Sequence, residues 1–262
     1  MRRRRSHHQP PRRAARGGSR LATCRPAIAL AMAVACAGPA IAHEELEYGW
    51  KLKGFSGVLI GLFYPDSGEA RITTEEGPGT RYTTTLELTS RQREGAYYRY
   101  GSEIGSEGSP VRVWSAYQFR GKSKAREQEV DEHDVLDFPS AIQTLRRERP
   151  MEERWIRLWS DGNEYPLTVS PDGVEEIDCN GHTWTTRRYV IEGRRVKGER
   201  YWKGRFQLWL ADDKDATPVR IVGERGLLTV RLELVDVARD EEFHRRRRQA
   251  AAGEARGGSS VP

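Results

Sequence analysis

Cys179 and His182 stand three residues apart, a spacing that could set a thiol beside an imidazole as metal ligands or as nucleophile and base. A structural zinc site needs four ligands, and the chain offers no second pair of this kind. No third member of a catalytic triad is visible either. Between the two residues lies Asn180-Gly181, the strongest two-residue hairpin signal in the sequence, and it accounts for their proximity without chemistry. Asp212, Asp213 and Asp215 could chelate calcium, yet they lack the glycine and terminal glutamate of a calcium loop. A charged turn is the simpler account. The chain has no GxSxG, no phosphate-cradling glycine loop and no HExxH. The residues therefore point away from an enzyme and call for no cofactor and no metal.

Aromatic residues carry more information. Trp155 and Trp159 alternate with Ile156 and Leu158, and Trp209 alternates with Leu208 and Leu210, so several strands are apolar on both faces. One account is a sheet covered on one side by a helix and loops, with tryptophans scattered on the other. The other is a barrel or half-barrel whose interior admits a hydrophobic ligand. Its lining would be drawn from Trp155, Trp159, Phe206, Leu208, Trp209 and Ile142.

The elements that would position these residues are mostly strands. From Leu46 the apolar period is two, and Val58–Tyr64 is apolar on both faces. Residues 69–73, 81–89, 96–104 and 111–120 read as further strands rich in Tyr, Thr and Val. The stretch 121–134 is charged and without period, and is expected to be an exposed loop. Hairpins follow, turning at Asp161-Gly-Asn, Pro171-Asp-Gly and Asn180-Gly181. A strand over 200–210 then leads into 217–222 and 227–234 as a closing meander, in which Leu228, Val230, Leu232 and Leu234 share one face. One helix interrupts the strands at 138–147. Phe138, Ala141, Ile142 and Leu145 form its apolar stripe, Asp137 its cap and Pro139 its first turn, with Arg146 and Arg147 complementing the dipole at its end. The expected architecture is all-β: a strongly curved antiparallel sheet or open barrel, its concave side plugged by this helix.

The net charge of +6 is misleading as to partners. Nine arginines and no acid fall in residues 1–42, and residues 245–262 hold five arginines against Glu254, which leaves the body between them at −7. A nucleic-acid-binding domain would carry its basic residues on the folded surface, so none is expected to bind. The basic start, the apolar run 26–36 and Ala40-Ile-Ala42 read as a secretory signal peptide cleaved between Ala42 and His43, too short to span a bilayer. Its removal takes Cys24 and Cys36 and leaves one thiol, so no intramolecular disulfide is possible. The organisation expected is a leader (1–42), a single domain (43–243) and a disordered basic tail (244–262), with no membrane span after cleavage.

Three stretches carry a resemblance: Tyr48-Gly-Trp-Lys with Gly57-Val-Leu-Ile-Gly; Asp134-Val-Leu-Asp-Phe-Pro-Ser-Ala with Leu145-Arg; and Phe206-Gln-Leu-Trp-Leu-Ala-Asp-Asp with Pro218-Val-Arg-Ile and Gly226-Leu-Leu-Thr-Val-Arg-Leu. In this order they resemble the family of the domain of unknown function numbered 3108, found in exported proteins of Gram-negative bacteria, over about residues 45–237. The closing meander is also similar, more distantly, to the outer-membrane lipoprotein carrier and receptor proteins, half-barrels closed by helices over an acyl-chain cavity. The resemblance brings no catalytic residue. It implies a periplasmic, non-enzymatic protein that binds an apolar or lipid-like ligand of the envelope. The alternatives are an assembly protein holding a protein or polysaccharide through sheet edges and exposed tryptophan, and a hydrolase of unrecognised type.

Overall fold

The computed structural model describes residues 43–53, 67–75, 82–130, 135–226, 228–239, 242 and 245. The expected leader, the apolar run Val58–Tyr64 and, but for Arg245, the tail lie outside these residues.

In chain order the strands are β1 (His43–Lys53), β2 (Ser67–Glu75), β3 (Tyr82–Ser90), β4 (Tyr97–Ile104), β5 (Pro110–Phe119), β6 (Lys122–Glu129) and β7 (Val135–Leu136). After the helix α1 (Phe138–Glu148) come β8 (Arg154–Ser160), β9 (Asn163–Cys179), β10 (His182–Gly193), β11 (Gly204–Ala211), β12 (Pro218–Arg225) and β13 (Leu228–Arg239). They form one curved sheet of 13 strands in the order β6-β5-β4-β3-β2-β1-β13-β12-β11-β10-β9-β8-β7. Every pairing is antiparallel except the short parallel one of β7 with β8. The two ends of this order do not pair, so the sheet is unclosed.

Local chemistry explains most of the path. Asn180 (φ 50°) and Gly181 (φ 77°) make the two-residue turn between β9 and β10, which needs positive φ at both positions. Asp161-Gly162 turns β8 into β9 in the same way. The helix starts at a capping box: the Asp137 carboxylate accepts from the Ser140 N–H at 3.0 Å, and the Ser140 hydroxyl accepts from the Asp137 N–H at 2.9 Å. It ends at Arg149, whose N–H donates to the Leu145 carbonyl from a left-handed backbone.

Three expectations are corrected. The expected loop 121–134 contains β6, a strand exposed on both faces and paired, among the described residues, only to β5. An edge strand guarded by charge has no apolar period to read. Pro171-Asp-Gly is not a hairpin: β9 runs through it, with Gly173 at φ 86° and a register shift opposite Arg187–Tyr189 that absorbs the turn residues as a bulge. The strand expected from residue 200 begins at Gly204.

The core fills the helix side of the sheet. Leu46, Tyr48 and Trp50 of β1, Ala70 and Ile72 of β2, Leu167 and Val169 of β9, Tyr189 and Ile191 of β10, Leu208 of β11 and Leu232 and Leu234 of β13 surround Ala141, Ile142 and Leu145 of α1. A smaller cluster of Val113, Val130, Val135 and Trp159 lies where β5 and β6 approach β7 and β8. Among the described residues, side chains rather than ladder hydrogen bonds bridge this seam. Ser115 donates to Asp161 at 3.0 Å, Trp159 Nε1 to Gln128 at 2.7 Å, and Gln128 to Glu164 at 3.1 Å.

Candidate functional site: an aromatic mouth on the helix face

The two ends of the helix meet different surroundings. At its C-terminal end Arg146 is buried against Glu44, and both Arg239 and the Asp215 carbonyl join them, so that end is sealed by a charge network. At its N-terminal end the sheet's inner face is aromatic. Phe138 meets Tyr100 edge-on at 4.9 Å and Phe206 at 5.1 Å, Trp202 stacks on Phe206 at 5.5 Å, and Tyr165 meets Trp202 at 5.1 Å. All five rings are half-buried. Leu52, Leu88 and Val230 are half-buried on the same inner face of β1, β3 and β13. Such a partly solvated apolar surface at one end of a filled core is suited to receive an apolar group.

Trp202 is held there by what its neighbours lack. It sits off the ladder, in the connection between β10 and β11, and lies back over the sheet. A Cβ on Gly193 would stand 2.1 Å from its carbonyl oxygen, and one on Gly204 2.3 Å from its Nε1. Only glycine at both positions lets backbone and ring approach so closely. The Trp202 N–H is buried without a hydrogen-bond partner, which is uncommon for an indole. The Arg225 guanidinium lies 5.7 Å from the ring centroid.

Asp137 lies beneath the mouth. Its Oδ1 accepts from Ser102 at 2.8 Å and from both donors of Ser140, while its Oδ2 has no partner. Burial pushes this carboxyl up to about 6, against those hydrogen bonds. An unfolded aspartate releases its proton near pH 3.9, so between about pH 4 and 6 the folded chain keeps a proton that the unfolded chain has lost. The stability contributed is full below about pH 4 and is lost as pH rises through about 6, by up to about 3 kcal/mol. Asp137→Asn keeps an acceptor for the Ser140 N–H and is expected to lack this window. Urea midpoints of both proteins from pH 4 to 7 check this; parallel profiles would contradict it.

Of the six residues expected to line an interior, Ile142, Leu208 and Phe206 share the helix face, the first two buried below the mouth and the last within it. The three tryptophans do not join them. Trp155 is 61% exposed on the opposite face, with the Arg194 guanidinium 3.1 Å over its ring. Trp159 is fully buried in the seam cluster. Trp209 is buried on the opposite face, donating to Glu175 at 2.8 Å between Arg188 and Arg220. Tyr100, Phe138, Tyr165 and Trp202 were missing from the expected lining. Phe138 was marked by its place at the head of the helix stripe; Trp202 carried no period, and only the glycines either side of it hinted at its packing.

The candidate chemistry dissolves on inspection of geometry. Cys179 and His182 face each other directly across the hairpin, but His182 is exposed whereas the thiol is buried and donates to the Leu234 carbonyl at 3.4 Å. Burial pushes that thiol up, away from the reactive thiolate. Asp213 spends its oxygens on the Asp215 and Thr217 N–H groups and the Thr217 hydroxyl, a closed turn. Among the described residues no group of three or more His, Cys, Asp or Glu is placed to hold a metal ion. A groove of about 410 Å³ on the opposite face, lined by Gly49, Arg71, Glu87, Thr89, Arg91 and Val235, is crossed by ion pairs of neighbouring strands, Arg71 to Glu47 and Arg91 to Glu69. These are ordinary solvated cross-strand pairs.

The fold and this mouth define a class: an unclosed, curved and mostly antiparallel sheet with the helix α1 on its inner side. Among solved structures the chain is similar to a beta-barrel-like protein of domain of unknown function DUF1849 from Brucella abortus, with a TM-score of 0.50 and 12% identity over 77% of this chain and 99% of that one. That likeness shows the fold. It is also similar to the lipoprotein LppX of Mycobacterium tuberculosis, at a TM-score of 0.30 and 15% identity over 73% of this chain and 84% of that one. The hypothetical lipoprotein YmcC of Escherichia coli scores 0.35 at 13% identity, over 73% and 83% of the two chains. Superpositions this loose place no residue. No protein-family model and no curated protein matches the chain.

Proposed function

We propose that this is an exported, periplasmic envelope protein, cleaved between Ala42 and His43, that binds an apolar or lipid-like ligand without transforming it. Its ligand enters at the mouth formed by Tyr100, Phe138, Tyr165, Trp202 and Phe206. The observation that carries this reading is that five rings in mutual contact remain half-buried at the N-terminal end of the helix. The order of its motifs supports membership of the exported family of the domain of unknown function numbered 3108. Fluorescence titration with a dansylated fatty acid tests the reading. The wild-type protein is expected to take up the probe saturably, and Trp202→Ala to weaken uptake on the order of tenfold or more, as loss of a central aromatic anchor does. Trp202→Leu, which keeps an apolar side chain at the site, is expected to fall between them. Absence of uptake by the wild-type chain would contradict the proposal.

A further inference from the structure

We infer that the ligand of this mouth is an anionic amphiphile, its chain among the aromatic rings and its acidic head group at a basic rim. The inference rests on the apolar-ligand reading and adds the chemistry of the head. The sequence of β6, Lys-Ser-Lys-Ala-Arg-Glu-Gln-Glu, is sorted by the ladder. Lys122, Lys124 and Arg126 stand opposite Phe119, Tyr117 and Ser115 of β5. Tyr117 and Ser115 stand in turn opposite Tyr98 and Tyr100 of β4, so the three bases share the face that bears the mouth. Glu127 and Glu129 point to the other side, where Glu127 is taken by Arg112 at 2.6 Å.

Lysines on an edge strand commonly guard against aggregation, but that role needs neither one face nor one sign. Here the bases lie together beside stacked, partly solvated rings, Tyr98 on Tyr117 at 5.7 Å. On the other flank Arg225 reaches over Trp202. Among the described residues none of Lys122, Lys124, Arg126 and Arg225 forms an ion pair. The acids of the neighbouring β8–β9 turn lie beside these bases: Asp161 accepts from Ser115, the residue opposite Arg126, and Glu164 from Gln128, two residues on, so the three bases of β6 outnumber the two carboxylates there. A carboxylate or phosphate there would remain hydrated, cost little desolvation and gain attraction screened by salt.

The test compares a dansylated fatty acid with its methyl ester on the full chain as purified. Wild-type protein is expected to prefer the acid on the order of tenfold at low salt and to lose the preference at high salt. The triple variant Lys122→Gln, Lys124→Gln, Arg126→Gln is expected to bind acid and ester alike, with ester affinity unchanged. Single Lys124→Glu, on an exposed side chain that no fold contact needs, is expected to lower acid binding alone. Equal affinity of wild type for both probes would overturn the head-group inference and leave the apolar reading standing; uptake of neither would overturn both. Extraction of phosphatidylglycerol from phosphatidylcholine vesicles would identify a phosphate head, and uptake of the free acid alone a carboxylate; either supports the inference.

Discussion

Arg146→Ala is expected to lower the unfolding free energy by about 3–5 kcal/mol, because it strands a buried carboxylate. The Arg146 side chain is 2% exposed and that of Glu44 1%. The guanidinium donates to both oxygens of Glu44, at 2.5 and 3.0 Å, to Gln143 at 3.0 Å, and to the Asp215 carbonyl at 3.1 and 3.2 Å. Arg239 donates to the same carboxylate at 2.8 Å. Removing the arginine leaves Glu44 desolvated with one partner and frees three acceptors. The network joins α1, β1, β13 and the β11–β12 turn, so the loss should appear as one cooperative transition at lower urea. Glu44→Gln with Arg146→Met removes both charges together and is expected to cost less than the sum of the single changes. Additive losses would show that the pair is not coupled.

Trp159→Ala is expected to cost about 3–5 kcal/mol, whereas Trp155→Ala, four residues earlier on the same face of β8, should stay within about 0.5 kcal/mol. Trp159 is fully buried, and its indole N–H is held by Gln128, which itself donates to Glu164. Its removal opens a void at the seam where side chains join the two ends of the sheet. Trp155 stands in solvent beneath Arg194, an exposed cation–π contact of small worth. Thermal unfolding of the two variants checks the contrast, and equal losses would refute the assignment of Trp159 to the seam.

That contrast marks how far the sequence could be read. Period two in β8 correctly set Trp155 and Trp159 on one face and Ile156 and Leu158 on the other. It could not show that one end of that face is covered by Val113 and Val130, which lie far away in the chain. The helix was legible in detail, since cap, stripe and basic end are all local signals. Arg146, read as a complement to the helix dipole, sits four residues after Ile142 at the margin of the buried stripe; its partner Glu44 lies 102 residues away. β6 and the bulge in β9 were missed because edge exposure and bulges break the periods on which strands are recognised. The mouth was half legible. Phe206 and Leu208 belong to a clean strand, but Trp202 lies in a connection whose path depends on two glycines.

Native mass spectrometry of the protein purified from its native source, followed by denaturing extraction of lipid, tests the proposed ligand binding most directly. A copurifying acyl species near one per chain, lost in Trp202→Ala, is the predicted result. A clean apo mass from wild-type protein that also takes up no fatty-acid probe would contradict the account.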